Sequence, residues 1–415
     1  MQPLLPVDPG RNKKLLPMAF RAVGMGASLA TNIVVARQLD LEQIAYYFLY
    51  ATLSYFGNAA LFVGLGIVLQ RYFSRLATTR QLDKALLIRF IAASFTIGIA
   101  VVAIFTSIYL FARGAGTNPW SAVLCCATLS GAVYLSSAGK DLLALGDRLN
   151  IAALFSFLEQ VLRLGFVVLV LGLGHKSAVE ITAAVAAGSM ISGLGALTVL
   201  LSLFGRSTLP SPQRMGFGHI VHSVGPIGLS GVFNWLQLQS YRPILLYFGT
   251  QPELVGITAL LTSLGMAGAN PILAVTAQRF IPSIYAGEAS AFRACMLALA
   301  RAALILACCS IPVAVVFLLL SGRRALVLYL LLVPIGVLVE TGNNVIGAFI
   351  HRQNSFGRSM WHFASAGTVG ILIIGLSWLM PVRSAMVPYS LGMAMIASQI
   401  GVVATIAALS KRGRQ

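Results

Sequence analysis

The sequence predicts an all-α polytopic membrane protein with about twelve transmembrane helices, arranged as two six-helix halves around a central cavity. Of its 415 residues, 58% are hydrophobic and only 10% are charged, whereas soluble globular chains are about 45–50% apolar and about 25% charged. Apolar runs of about 20 residues also recur along the chain, and each is long enough to cross a hydrocarbon core of about 30 Å. These observations exclude a water-soluble fold.

Charged and turn-forming clusters divide the apolar runs into twelve predicted helices. Their approximate bounds are 15–36, 44–69, 86–111, 120–143, 151–173, 181–204, 223–248, 255–276, 295–319, 326–349, 360–380 and 385–409. The first run is longer than a signal-peptide core and lacks a convincing cleavage site, so we expect it to be retained as a helix.

The distribution of basic residues predicts the topology. With the N-terminus inside, nineteen of the 29 Lys and Arg residues fall on the cytoplasmic side, six on the opposite side and four inside helices. The positive-inside rule therefore places both termini in the cytoplasm. Because this topology accounts for most of the net charge of +18, no nucleic-acid partner is expected.

A polar interruption near the middle of the chain predicts two domains. Residues 205–222, which include Pro210, Pro212 and Arg214, form a predicted cytoplasmic linker between an N-terminal half, 1–204, and a C-terminal half, 223–415. Paired halves are common among transporters, in which the substrate site lies at the interface between the halves.

Polar side chains inside the predicted helices are the candidate site residues, since a central charge costs about 2.5–3.5 kcal/mol on insertion scales. The first helix of each half carries such residues on one face: Arg21, Ser28 and Asn32 on helix 1, and Trp235, Gln239 and Arg242 on helix 7. The spacing of three, four or seven residues within each set places its side chains on one face of the helix. Each arginine also lies about two turns from a helix end, so the alternative is a side chain that extends to the membrane surface.

Two further helices carry carboxylates. Glu159 and Arg163 on helix 5 have the i, i+4 spacing of an ion pair, so both a structural pair and a substrate contact remain open. Glu340 on helix 10 lies near Asn343 and Asn344. A buried carboxyl group without a cation can carry a proton, and a cluster of interhelical hydrogen bonds is the alternative.

Two regions carry motifs of a known family. The first comprises Ala36-Arg37-Gln38-Leu39, Glu42-Gln43, Tyr46-Tyr47 and then Gly64-Leu65-Gly66 with Arg71. The second comprises Asn234, Arg242, Gly249, Glu253, Gly256-Ile257 and Pro282. They resemble Wzx-type polysaccharide flippases of the multidrug/oligosaccharidyl-lipid/polysaccharide exporter superfamily, whose helix 1 often ends in Ala-Arg-x-Leu-Gly-x-x-x-x-Gly-x-Tyr. Asp40 and Ala45 replace glycines of that pattern, and Tyr241 stands where an aspartate is common.

The resemblance implies a transporter of the bacterial inner membrane and not an enzyme. Such a flippase moves undecaprenyl-pyrophosphate-linked oligosaccharide across the membrane by alternating access, for the synthesis of O-antigen, capsule or exopolysaccharide. It also implies that the polar faces of helices 1 and 7 line the cavity, where arginines can bind the diphosphate by charge-assisted bonds. The expected partners are the lipid-linked oligosaccharide, membrane lipids, a polysaccharide polymerase and chain-length proteins.

Two other functions are alternatives. A cation-coupled multidrug exporter of the same fold should carry a cavity carboxylate, whereas the polar faces of helices 1 and 7 carry arginine. A membrane glycosyltransferase or polymerase would need a large external loop with acidic residues, which the sequence lacks. His219 and His222 have no third ligand nearby, and Gly24-Met25-Gly26 is an incomplete nucleotide motif, so no metal or cofactor is expected.

Overall fold

The computed structural model describes residues 9–72, 81–114, 119–146, 148–206, 217–248, 251–280, 283–284, 289–355, 361–379 and 386–412. Within these ranges the chain is almost entirely helical, and eleven helices are long and apolar enough to cross a membrane. The all-α, multi-span fold class is therefore confirmed. Pro210, Pro212 and Arg214 of the predicted linker, together with Gly249 and Pro282, lie outside the described residues.

Six helical elements form the first half of the chain. They are α1 (Pro9–Gln38), α2a (Leu41–Gly57) continued by a π-helical segment (Asn58–Phe62) and α2b (Val63–Tyr72), α3 (Lys84–Ala112), α4 (Pro119–Leu145), α5 (Leu149–Gly172) and α6 (Ala178–Leu203). The local sequence explains where two of these helices begin. Asp40, which departs from the family pattern, caps α2a by accepting a bond from the Gln43 amide at 2.7 Å, and Ser177 and Glu180 form a capping box on α6.

The second half repeats this arrangement with two irregular elements. It comprises α7a (Phe217–Leu238), α7b (Tyr241–Tyr247), α8 (Pro252–Gln278), α9 (Ala289–Leu320), a 3₁₀ helix (Arg324–Tyr329), α10 (Leu332–Ser355), α11 (Trp361–Trp378) and α12 (Val387–Arg412). Helix 7 begins at Phe217, inside the predicted linker 205–222, and is not the continuous helix 223–248 of the sequence prediction. It breaks after Leu238 because Pro243 has no N–H to donate to the Gln239 carbonyl, four residues earlier.

The helix pairings of the first half recur six helices later. The pairs α1·α5, α3·α4, α4·α6 and α5·α6 correspond to α7a·α11, α9·α10, α10·α12 and α11·α12. The described helices therefore form two structurally repeated six-helix bundles, an arrangement found in many transporters. A two-residue parallel β-pair also joins Gln81–Leu82 to Gly205–Arg206.

Helix 2 runs along the seam between the halves. α2a packs against α8, and the π segment and α2b pack against α7a. Glycines permit this close approach: a Cβ at Gly256 would lie 2.5 Å from the Leu41 carbonyl oxygen, and a Cβ at Gly231 would lie 2.1 Å from that of Ala59. The halves are thus in close main-chain contact at the start of α2a and within the π segment.

Candidate functional site

A cavity of about 380 Å³ lies between the two halves. We call it the central cavity. Its walls come from α2a, α4, α5 and α6 of the first half and from helix 7, α8 and α10 of the second. The lining residues are Tyr47, Phe48, Ala51, Tyr55, Leu129, Arg163, Val185, Gln239, Arg242, Ser263, Met266, Ala267, Asn270 and Glu340. Two arginines and one carboxylate, each from a different helix, therefore face the same space.

Arg242 reaches the central cavity from α7b and is 4% exposed. Its guanidinium donates from Nη1 to the Thr52 hydroxyl at 2.8 Å, from Nε to the Tyr241 hydroxyl at 3.0 Å and from Nη2 to Ser263 at 3.3 Å. The group also lies 5.3 Å from the ring centre of Phe48. All these partners are neutral, and no ion pair among the described residues includes Arg242.

The first-half wall contains a buried ion network. Glu159 is 3% exposed and accepts from Lys140 Nζ at 2.6 Å, from the Ser136 hydroxyl at 2.7 Å and from the Arg163 guanidinium. Arg163 also donates from Nε to Ser189 at 2.8 Å. The pair that the sequence left open between Glu159 and Arg163 is thus present, and Arg163 lines the cavity as well.

Lys140 is the third charged member of this network. It lies within α4, which extends to Leu145, and its side chain is only 18% exposed because it bonds to Glu159. Two cations and one carboxylate leave this network with a net charge of one positive unit. Together with Arg242, the arginine-bearing walls of the cavity are therefore electropositive.

Glu340 is set in a different environment. It is 7% exposed and accepts from Asn343 at 3.3 Å and from Asn344 at 3.2 Å. Asn343 in turn accepts from Gln399 on α12 at 3.1 Å, and Gln399 extends to Asn234 on α7a at 3.5 Å. The amide cluster therefore runs from the central cavity into the second half, and no ion pair among the described residues includes Glu340.

Trp235 does not line the central cavity, although Gln239 and Arg242 do. Its ring packs edge-on against Phe56 and Phe105, and its indole N–H donates to the Thr52 carbonyl oxygen at 2.9 Å. The side chain instead borders an apolar pocket of about 330 Å³ between α3 and helix 7. The prediction that Trp235 shares a face with Arg242 assumed an unbroken helix. Both side chains bond to Thr52, but they line different pockets.

The polar residues of α1 also lie apart from the central cavity. Arg21, Ser28 and Asn32 are partly exposed, and no residue of α1 in the described lining faces the cavity. α1 packs instead along α5, where the Gly24 main chain lies against Phe157. Substrate binding by these residues stays a prediction that this conformation does not support.

Several residues that line the cavity or bond to its lining were not among the site residues predicted from the sequence. Thr52 and Ser263 bond to Arg242, and Tyr47 and Tyr55 line the wall. Hydroxyl groups in apolar runs are too common to single out. The two tyrosines lie eight residues apart on α2a, a spacing that places them on one face of the helix.

Comparison with known proteins identifies solved structures that have the same fold. No protein-family model matches the sequence, and no curated protein matches it. An inward-facing multidrug resistance MATE family transporter of the MOP superfamily superposes with a TM-score of 0.62 at 16% identity, over 96% of this chain and 99% of that one. An outward-facing MATE family transporter gives 0.61 at 13% identity, over 95% of each chain.

A flippase has the same architecture. The lipid II flippase MurJ, in an inward closed conformation, superposes with a TM-score of 0.59 at 12% identity, over 96% of this chain and 87% of that one. These likenesses extend over nearly the whole chain and include both six-helix halves. The chain is therefore a multi-span membrane protein with the fold of MOP-superfamily transporters.

Proposed function

We propose that this protein is a flippase that moves undecaprenyl-pyrophosphate-linked oligosaccharide across the bacterial inner membrane by alternating access. The observation that carries the proposal is the central cavity with Arg163 on one half and Arg242 on the other. On this proposal the protein has no enzymatic activity, and it supplies lipid-linked sugars for polysaccharide assembly, with a polymerase and chain-length proteins as further partners.

The charges of the cavity suit a diphosphate. A diphosphate carries two or more negative charges, and a guanidinium can bind two phosphate oxygens at once. Arg242 has only neutral partners in the cavity, so an incoming phosphate would replace hydroxyl contacts and would not have to break an ion pair. Arg163 is held by Glu159 and Ser189, which fixes its guanidinium at the opposite wall.

The remaining wall suits sugars. Tyrosine rings can cover the apolar faces of a sugar, and Gln239 and Asn270 can bond to its hydroxyls. A cavity of about 380 Å³ is at the small end of the usual range for ligand sites. It can hold the diphosphate and the nearest sugar but not a whole oligosaccharide, so transport requires the halves to move apart while the lipid tail stays in the bilayer.

A cation-coupled multidrug exporter is the second candidate, and one observation favours it. Glu340 lines the same cavity, and no ion pair among the described residues includes it. A cationic drug could pair with this carboxylate. In that case Glu340→Gln should abolish export of a cationic dye, whereas Arg242→Ala should leave export intact.

The test of the flippase is substitution of Arg242. Loss of a charge-assisted bond costs roughly 1.5–3 kcal/mol, so Arg242→Ala should bind lipid-linked oligosaccharide about ten- to a hundredfold more weakly. Arg242→Lys should retain part of the binding, because lysine keeps the charge but lacks the planar fork. Binding to purified protein and complementation of glycan export are the two measurements.

The matched control is Arg301→Ala, because Arg301 is an exposed arginine in the middle of α9. It should bind and complement as the wild type does. An Arg242→Ala variant that inserts, binds the lipid-linked sugar normally and complements would contradict the proposal. If the wild-type protein binds no lipid-linked sugar but exports cationic dyes, the flippase proposal is wrong and the multidrug exporter takes its place.

A further inference from the structure

We propose that Arg323 is a latch that holds the two halves together at the face opposite the chain termini. Arg323 lies between α9 and the 3₁₀ helix of the second half, and its side chain reaches the end of α1 in the first half. Its Nε donates to the Ala36 carbonyl oxygen at 2.9 Å, and its Nη2 donates to the Leu39 carbonyl oxygen. The positive-inside rule predicts that this face is periplasmic.

One acceptor, the Ala36 carbonyl, belongs to the last turn of α1, and the other, the Leu39 carbonyl, follows directly after the helix. α1 ends at Gln38, and the last four carbonyls of a helix have no partner inside it. They also form the negative end of the helix dipole, which favours a cation. A guanidinium can bond to two carbonyl oxygens at once through its fixed fork. Arg323 therefore caps α1 from the other half of the molecule.

Hydrogen bonds on the second half fix the main chain of Arg323, from which the side chain extends across the seam. Its N–H donates to the Leu318 carbonyl oxygen at 3.0 Å, and its carbonyl accepts from Leu326 at 3.0 Å. The preceding Gly322 has a φ of 71°, a left-handed conformation that ends α9. Because both neighbouring elements hold this residue, little backbone freedom is lost when the latch forms.

The latch acts where the halves must part. At the same face the Tyr109 hydroxyl donates to the Pro243 carbonyl oxygen at 2.8 Å, and Gly256 lies against Leu41. Any motion that separates the halves here breaks both bonds of Arg323 and exposes the Ala36 carbonyl of α1 and the Leu39 carbonyl that follows the helix. The latch therefore biases the protein toward the conformation that is closed at this face. It rests on the rocking of halves proposed above, but its test needs no substrate.

The test is a distance measurement between spin labels on the two halves. Lys176 and Glu253 are exposed at this face and can be labelled as cysteines in a chain whose five native cysteines are replaced. In lipid nanodiscs, Arg323→Ala should raise the population of the longer distance on the order of tenfold, because two charged bonds are lost. Arg323→Lys should give a smaller increase.

Arg324→Ala is the control, since it removes an exposed arginine from the next position and should leave the distances unchanged. Arg323→Ala with the wild-type distance distribution would overturn the latch, as would an equal shift in the Arg324→Ala variant. If Arg323→Ala does not fold, Arg323→Lys and Arg323→Gln decide in the same way. The readout is conformational, so a failure of the flippase proposal leaves it intact.

Discussion

At the scale of the residue, Glu340, which lines the cavity, and Glu159, which bonds to the lining residue Arg163, are buried carboxylates that differ in what surrounds them. Glu159 accepts from Lys140 and from Arg163, so its negative charge is compensated. Glu340 accepts only from Asn343 and Asn344 among the described residues. Amides stabilise a carboxylate less than cations do, and burial favours its neutral form. Of the two, Glu340 is therefore the residue to which the proton-coupling hypothesis of the sequence analysis applies.

The proton-coupling hypothesis predicts that Glu340→Gln abolishes the dependence of transport on the pH gradient. Glutamine keeps the size of the side chain and can still accept from the asparagines, so the protein should stay folded. Uptake of lipid-linked sugar or dye into proteoliposomes, with and without an imposed gradient, measures the effect. Unchanged gradient-driven transport would remove Glu340 from the mechanism.

Contacts within one helix could be predicted from the sequence, and contacts between helices could not. Glu159 with Arg163 and Glu340 with Asn344 lie four residues apart, a spacing that helix geometry places on one face. Lys140 lies 19 residues from Glu159 on another helix, and no periodicity relates the two. Only the general cost of an unpaired charge in lipid indicated that Glu159 needed partners.

At the scale of the element, hydropathy located the helical segments but not their irregularities. Eleven of the described helices are long and apolar enough to cross a membrane, and the broken helix 7 is not among them. The break in helix 7 has a cause in the sequence, Pro243, and Trp235, which precedes the break, borders the apolar pocket next to α3 in this conformation. The π segment Asn58–Phe62 had no such signal, because it lies inside an apolar run of ordinary composition. The glycines on α8 are a similar case, because the sequence does not show which of them is in contact with another helix.

Two glycines of α8 should respond differently to alanine. A Cβ at Gly256 would lie 2.5 Å from the Leu41 carbonyl oxygen, whereas a Cβ at Gly268 has no heavy atom within 4 Å. Gly256→Ala should therefore destabilise the protein by roughly 1–3 kcal/mol. Gly268→Ala should be neutral or stabilising by up to about 1 kcal/mol. Thermal unfolding in detergent compares the two, and equal shifts would contradict the close helix contact.

At the scale of the whole molecule, the two halves repeat one packing scheme and meet along α2. A buried apolar cluster crosses the seam, with Val35 and Leu39 on one side and Ile257 and Leu318 on the other. The sequence predicts twelve crossings, an even number that would place both ends of the chain on one side of the membrane. Which side that is follows from charge alone, and the fold does not decide it.

The positive-inside rule predicts that the segment from Arg71 to Lys84 and the tail from Lys411 to Arg414 face the cytoplasm, and that Arg113, Lys176 and Arg323 face the periplasm. Single cysteines in a cysteine-free chain, labelled in intact cells by an impermeant reagent, measure this. Labels at positions 113 and 176 should react, and labels in the tail should not. A tail that is labelled from outside would invalidate the twelve-helix topology.

The ion network on the first-half wall has a consequence for how the chain enters the membrane. Lys140 on α4 would cost about 2.5–3.5 kcal/mol if that helix entered lipid alone, because its partner Glu159 lies on α5. α4 and α5 are consecutive and joined by a short connection, so Lys140 can meet Glu159 as soon as the two helices form a hairpin. Insertion of α4 and α5 as a pair avoids exposing the charges singly to lipid, which makes this hairpin the natural unit of membrane integration during synthesis.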